Sequence, residues 1–130
     1  MKIFRSFEIS ASALTAERLR LSVIATNIAN AETTRTPQGG PYRRKEVVFT
    51  PREDGGVEVA AIQEDTRTPF RQVYDPAHPD ANAEGFVEYP NVLVVNEMVD
   101  LLAATRAYEA NVAALNATKS MLSSSLNIGR

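Results

Sequence analysis

The chain has no cysteine, no tryptophan and a single histidine, His78. Without thiols it can hold no disulfide, no thiolate metal site and no cysteine nucleophile. One imidazole does not make a histidine metal cluster. It also lacks a dominant charge sign. Fourteen Lys and Arg stand against 16 Asp and Glu, a formal net charge of −2, which gives no basic field for nucleic acid. No apolar run approaches the roughly 18 residues that span a bilayer. There is no glycine-rich phosphate loop and no Gly-x-Ser-x-Gly elbow. Glu53-Asp54 and Glu64-Asp65 are carboxylate pairs, but adjacency in sequence does not provide two acids flanking a substrate, so both read as loop surface. His78, set between prolines, reads as a solvent-facing loop residue. The sequence therefore points away from an enzyme: no catalytic residue, no metal site, no cofactor and no small-molecule substrate are expected, nor direct membrane insertion.

What is present is a folded domain's worth of chain. Its 130 residues are 44% hydrophobic and 23% charged, above the range that must stay disordered. Arg5, Glu8, Glu17 and Arg18 interrupt any apolar core near the N-terminus, and no small-residue cleavage site follows. This is not the pattern of a secretory signal peptide, so the expectation is a cytosolic protein or one exported with its N-terminus intact.

The helix breakers are unevenly placed. All seven prolines and five of the six glycines lie between Pro37 and Pro90. The stretches on either side, Met1–Thr36 and Asn91–Ile128, are free of them and carry helical apolar stripes. In the first arm Phe7, Leu14, Leu21 and Ile28 recur every seven residues, a heptad-like seam interrupted by Glu17 and Arg18. The arm predicts a helix of about 20–28 residues, ending near Asn30–Thr33, where Asn and Thr weaken helix propensity. In the second arm Met98, Leu101, Thr105, Tyr108, Val112, Leu115, Lys119, Leu122 and Leu126 alternate at three and four, with alanines between them that favour helix and close approach. Gly129 is the expected stop.

The middle reads as strands and turns. Glu46–Thr50 and Val57–Ile62 flank Asp54-Gly55-Gly56, a hairpin signal. Phe70–Tyr74 and Phe86–Tyr89 read as two more short strands. The fold class is α+β. Long N- and C-terminal helices (residues 1–33 and 91–130) pack as an antiparallel coiled-coil-like pair, with a small β-hairpin and loop region (34–90) between them. Two helices alone bury one face each, so further helices from the same or related chains are expected to complete the packing. Asn30 reads as a helix-end residue. Asn27, inside the helix near the seam, can serve there as well or can be a buried register-setting Asn. Arg43-Arg44-Lys45 reads as a solvated strand edge or a contact to acidic residues of a neighbour.

Specific motifs go further. Ser12-Ala13-Leu14-Thr15-Ala16-Glu17-Arg18-Leu19 and Thr26-Asn27-Ile28-Ala29-Asn30-Ala31 resemble the N-terminal signature of bacterial flagellar rod and hook axial proteins. Glu97-Met98-Val99, Ala104-Thr105-Arg106-Ala107-Tyr108-Glu109-Ala110-Asn111 and Lys119-Ser120-Met121 resemble the matching C-terminal one. Pro37–Phe49, Tyr74–Pro79, Gly85-Phe86-Val87 and Pro90-Asn91-Val92 are similar to the proximal-rod members of that family. One position departs: where the family commonly has Asp or Asn two residues after Asn91, this chain has Leu93, leaving either Asn91 as cap or a helix start near Asn96. The resemblance implies a structural subunit of the proximal rod in the flagellar basal body. It implies uncleaved export by the flagellar type III apparatus and arms that order on assembly. The implied partners are other copies of the chain, other flagellar rod proteins, and the export apparatus and adaptor at the rod base. Three other readings stay open at this point: an export-linked adaptor using the same helices, a different rod paralogue, and, with no residues to support it, a wall hydrolase.

Overall fold

The computed structural model describes residues 2–129. Helix α1 covers Lys2–Ala29, close to the upper expected length. At its end Asn30 turns its side chain back on the last turn: its side-chain amide donates to the Thr26 carbonyl (2.9 Å), which also accepts the Asn30 N–H, and its side-chain oxygen accepts from the Thr33 hydroxyl (3.1 Å), tying the following turn to the helix. Helix α2 covers Val94–Ile128. At 1.5 Å per residue the two helices are about 42 and 52 Å long. They pack against each other. Asn27, near the end of α1, meets Glu97, near the start of α2, and half-buried positions continue along α2 to Leu122. The pair is therefore antiparallel, with the last turns of α2 projecting past α1.

Strands β1 (Lys45–Pro51) and β2 (Val57–Glu64) form an antiparallel hairpin with a register shift between Val48 and Phe49. β3 (Arg71–Tyr74) and β4 (Phe86–Tyr89) form a second, separate hairpin. All four lie where β-prone runs sit between turn residues. The core is small and dispersed: Ala16, Val23, Ile24, Ala31, Tyr42, Val87, Val92 and Ala104 are its buried apolar members.

Three sequence expectations need correction. Helix α2 starts at Val94, after Leu93, which makes no side-chain capping bond. Asn91 is not the cap, because its side chain is committed to three backbone groups elsewhere, and the helix does not wait for Asn96. Asp65, read as loop surface, is 5% exposed. His78 is half-buried, its Nδ1 accepting from the Asp80 amide at 3.0 Å and its ring edge-on to Tyr89.

The first hairpin lies on α1 through a close approach at Gly56. A side chain there would put its Cβ 2.6 Å from the Ser12 hydroxyl oxygen. That hydroxyl donates to the Ile9 carbonyl and accepts from the Val57 amide, while Arg5 donates to the Asp54 carbonyl. Gly56→Ala is expected to cost about 1–3 kcal/mol by overpacking, read as a lower urea midpoint. An unchanged midpoint would show that the helix does not depend on this approach.

Candidate functional site: a buried polar node joining the two helices

The side chains that tie the arms together are polar. Asn27 is 1% exposed and uses its whole hydrogen-bonding capacity. Its carbonyl oxygen accepts from the Tyr42 hydroxyl (2.7 Å) and the Lys45 amide (3.0 Å), and its amide donates to the Lys45 carbonyl (2.8 Å) and to Glu97 Oε2 (3.2 Å). The amide thus pairs with both backbone groups of Lys45, as a neighbouring strand would. Aspartate is nearly isosteric but could not donate to Lys45 or to Glu97.

Glu97, also 1% exposed, accepts from Asn27 through Oε2 and from Arg44 Nε through Oε1. A buried carboxylate is tolerable only with such partners. Its place in the first turns of α2 adds the favourable field of the helix N-terminus. The Arg44 guanidinium also approaches Glu46 and Asp65 (both 3.5 Å) and Asp100 (3.8 Å). Burial, reinforced by Glu97 and Glu64, pushes the Tyr42 phenol above its ordinary pKa, so it remains a donor to Asn27.

A second layer holds the approach to α2. Asn91 accepts from the Arg44 amide (2.7 Å) and donates to the carbonyls of Asp65 (2.9 Å) and Thr68 (3.0 Å). The Asp65 carboxylate accepts from the Thr68 hydroxyl and amide and from the Arg67 amide. These bonds, the Thr68 hydroxyl first, with Arg44 adding, hold its pKa below the usual carboxylate value. No buried side-chain nitrogen or oxygen among the described residues lacks a partner. The basic triplet is accordingly not simply a solvated edge: all three side chains have contacts within the chain. Arg44 is in the node, Arg43 stacks on Phe70, and Lys45 lies over the Tyr42 ring.

The seam residues named from sequence fall into two groups. Leu14, Leu21, Ile28, Leu101, Tyr108, Val112, Leu115 and Leu122 are half-buried, whereas Phe7, Met98 and Leu126 are exposed. Within Asn27-Ile28-Ala29-Asn30-Ala31, Asn27 is in the node, Asn30 closes the helix, and Ala31 packs with Tyr42 and Val92. Sequence reasoning gave no role to Tyr42 or Glu97, and read Arg44 as strand edge or neighbour contact, Asp65 as loop surface and Asn91 as a possible cap. All but Asp65 lie inside the motifs that carried the resemblance.

The matches to known proteins fall on these same elements. The family model described as flagella basal body rod protein matches residues 7–35, most of α1 and its closing turn. The model described as flagellar basal body rod FlgEFG protein C-terminal matches residues 83–128, β4, the Asn91 segment and α2. The two matches thus place both terminal helices in the flagellar rod-type axial class. Relatives extend the likeness to the whole chain. The flagellar basal-body rod protein FlgC of Bacillus subtilis is 46% identical over all of both chains, that of Salmonella typhimurium 44% over all of both, and that of Borreliella burgdorferi 45% over 98% of each. The chain belongs to the FlgC family of flagellar basal-body rod proteins.

Two outcomes test the node. Glu97→Ala leaves Arg44 and Asn27 without their shared acceptor and is expected to cost about 3 kcal/mol, with Glu97→Gln milder, both read from unfolding midpoints. Asp65 tests the second layer by pH. A pKa lowered in the folded state stabilises fully above the unfolded carboxylate value and is lost as pH falls through the folded one. Between about pH 5 and about pH 3, Asp65→Asn should therefore lose less stability than the parent chain. An equal acid slope would refute the arrangement.

Proposed function

We propose that the chain is a structural subunit of the proximal rod, built into the axis of the flagellar basal body through its two terminal helices. The observation that carries this, beyond family membership, is its surface. The chain exposes 8754 Å², whereas a compact monomer of 14.2 kDa would expose about 6,800 Å². The excess of about 2,000 Å² is the size of area that subunits bury in stable contacts. Much of it is apolar and on the helices: Phe4, Phe7, Val95, Met98, Val99, Leu102, Met121, Leu126 and Ile128 are all exposed.

In this reading residues 1–33 and 91–130 form the axial core and residues 34–90 the outer part of the subunit. The half-buried seam (Leu14, Leu21, Ile28, Leu101, Tyr108, Val112, Leu115, Leu122) and the exposed Phe7, Met98 and Leu126 are packing positions shared with neighbours. Those neighbours are other copies and other rod proteins, with the export apparatus and its adaptor at the rod base. The subunit leaves the cytoplasm uncleaved and occupies the rod where it crosses the periplasm. Its role is mechanical, so no substrate, cofactor or catalytic residue enters it.

Leu115→Asp or Leu122→Asp places a charge where a neighbour would bury it, which is very costly. Each is expected to abolish assembly, read as loss of motility and of rods in purified basal bodies, while the variant chain is still produced. Normal rods in both strains would remove the helical seam from the account.

A further inference from the structure

Two surfaces of the chain are complementary and cannot meet within one copy. The first is the outer side of the opening turns of α2. Val95, Met98, Val99 and Leu102 are 73%, 55%, 62% and 55% exposed. At 3.6 residues per turn they project from the side opposite the buried Glu97 and Ala104. One turn on, the same side carries Arg106 and Glu109, both exposed. Neither forms an ion pair among the described residues. The second surface is a groove of about 650 Å³ between α1 and β2, lined by Ser12, Thr15, Ala16, Leu19, Val57 and Val59, with Arg52, which is paired with Asp54, also in its wall. The small side chains of α1 leave this space, and the lining is mainly apolar. Arg18 and Glu58, both exposed, stand at its edge, and they too are unpaired among the described residues.

We propose that the outer face of α2 in one copy seats in the α1–β2 groove of a second copy, with Glu109 meeting Arg18 and Arg106 meeting Glu58. This rests on the assembly reading above and names its contact. A ridge of branched and long apolar side chains fits a groove in which Ser12, Thr15, Ala16 and Ser22 keep the α1 wall low. Each surface carries one charge of each sign that forms no ion pair among the described residues, so the contact would pair four such groups, while Arg52 of the groove is already held by Asp54. The excess surface of about 2,000 Å² provides for two faces of about 800 Å² each, the usual contribution of one partner to a stable interface. Because the surfaces are unlike, the contact is head-to-tail and repeats from copy to copy without closing into a two-fold dimer.

The absence of native cysteine makes the test clean. Ser22→Cys marks the groove and Val99→Cys the ridge. Basal bodies from motile cells expressing each single variant, or the double variant Ser22→Cys/Val99→Cys, are treated with a bis-maleimide. A ladder of multiples of this chain from the double variant alone is expected. Dimers from either single variant, cross-links only to a chain of another mass, or no ladder from motile cells would each overturn the contact. In every one of those cases the rods are present, so the rod reading survives. If the cysteine variants do not assemble, charge reversal decides. Arg18→Glu and Glu109→Arg should each reduce motility several-fold, and together restore it. No recovery in the pair overturns the proposal.

Discussion

The structure depends on one buried carboxylate. Glu97 sits in the first turns of α2 with almost no access to water, and it is held there by one side chain from α1 and one from the strand-forming middle. Burying a carboxylate is unfavourable unless its partners are in place. This makes the node a conditional fastener: it forms only when Asn27, Arg44 and Glu97 arrive together, from positions 70 and 53 residues from Glu97 along the chain. An apolar contact there would tolerate a slip of the helices, whereas an amide whose four hydrogen-bonding positions are all assigned does not.

The rest of the fold is loosely packed by comparison. Few apolar residues are fully buried, and the two hairpins belong to separate sheets. Gly56 and Ser12 bring the first hairpin against α1, and Asn91 and Asp65 fix the path into α2. Beyond the node both helices carry exposed apolar residues, on sides that no other described residue covers. A subunit of this kind has a determined register at one end and unfinished surface along its length, which suits a part completed by its neighbours. Freedom from cysteine fits the same picture, since no disulfide has to form or break before the helices order.

Most of the architecture was readable because it rests on local signals. The confinement of proline and glycine to residues 37–90 delimits the helices, Asn30 ends the first of them, and Asp54-Gly55-Gly56 marks the first hairpin. The heptad positions of α1 were less informative. Its fully buried residues are Ser10, Ser12, Ala16, Val23, Ile24 and Asn27, partly because α1 faces both a hairpin and a helix. The node was not readable. Asn91 has the chemistry of a helix cap, Asp65 that of a surface turn, and Glu97 that of an ordinary acid in a first turn. Only the tertiary fold brings them together, and it does so through hydrogen bonds that leave no periodicity. Family resemblance highlighted most of these residues without indicating what they do.

The central claim is that Asn27 and Glu97 act as one unit in fixing α1 against α2. A double-mutant cycle on the purified chain, using Asn27→Ala, Glu97→Ala and the pair, measures that directly. Contacting residues in one hydrogen-bond network show coupling of roughly 0.5–3 kcal/mol. The account predicts a value of about 1 kcal/mol or more, with the pair much less destabilised than the sum of the singles. Additive losses would mean that the two residues act independently, and the node would not be what sets the register of the helices.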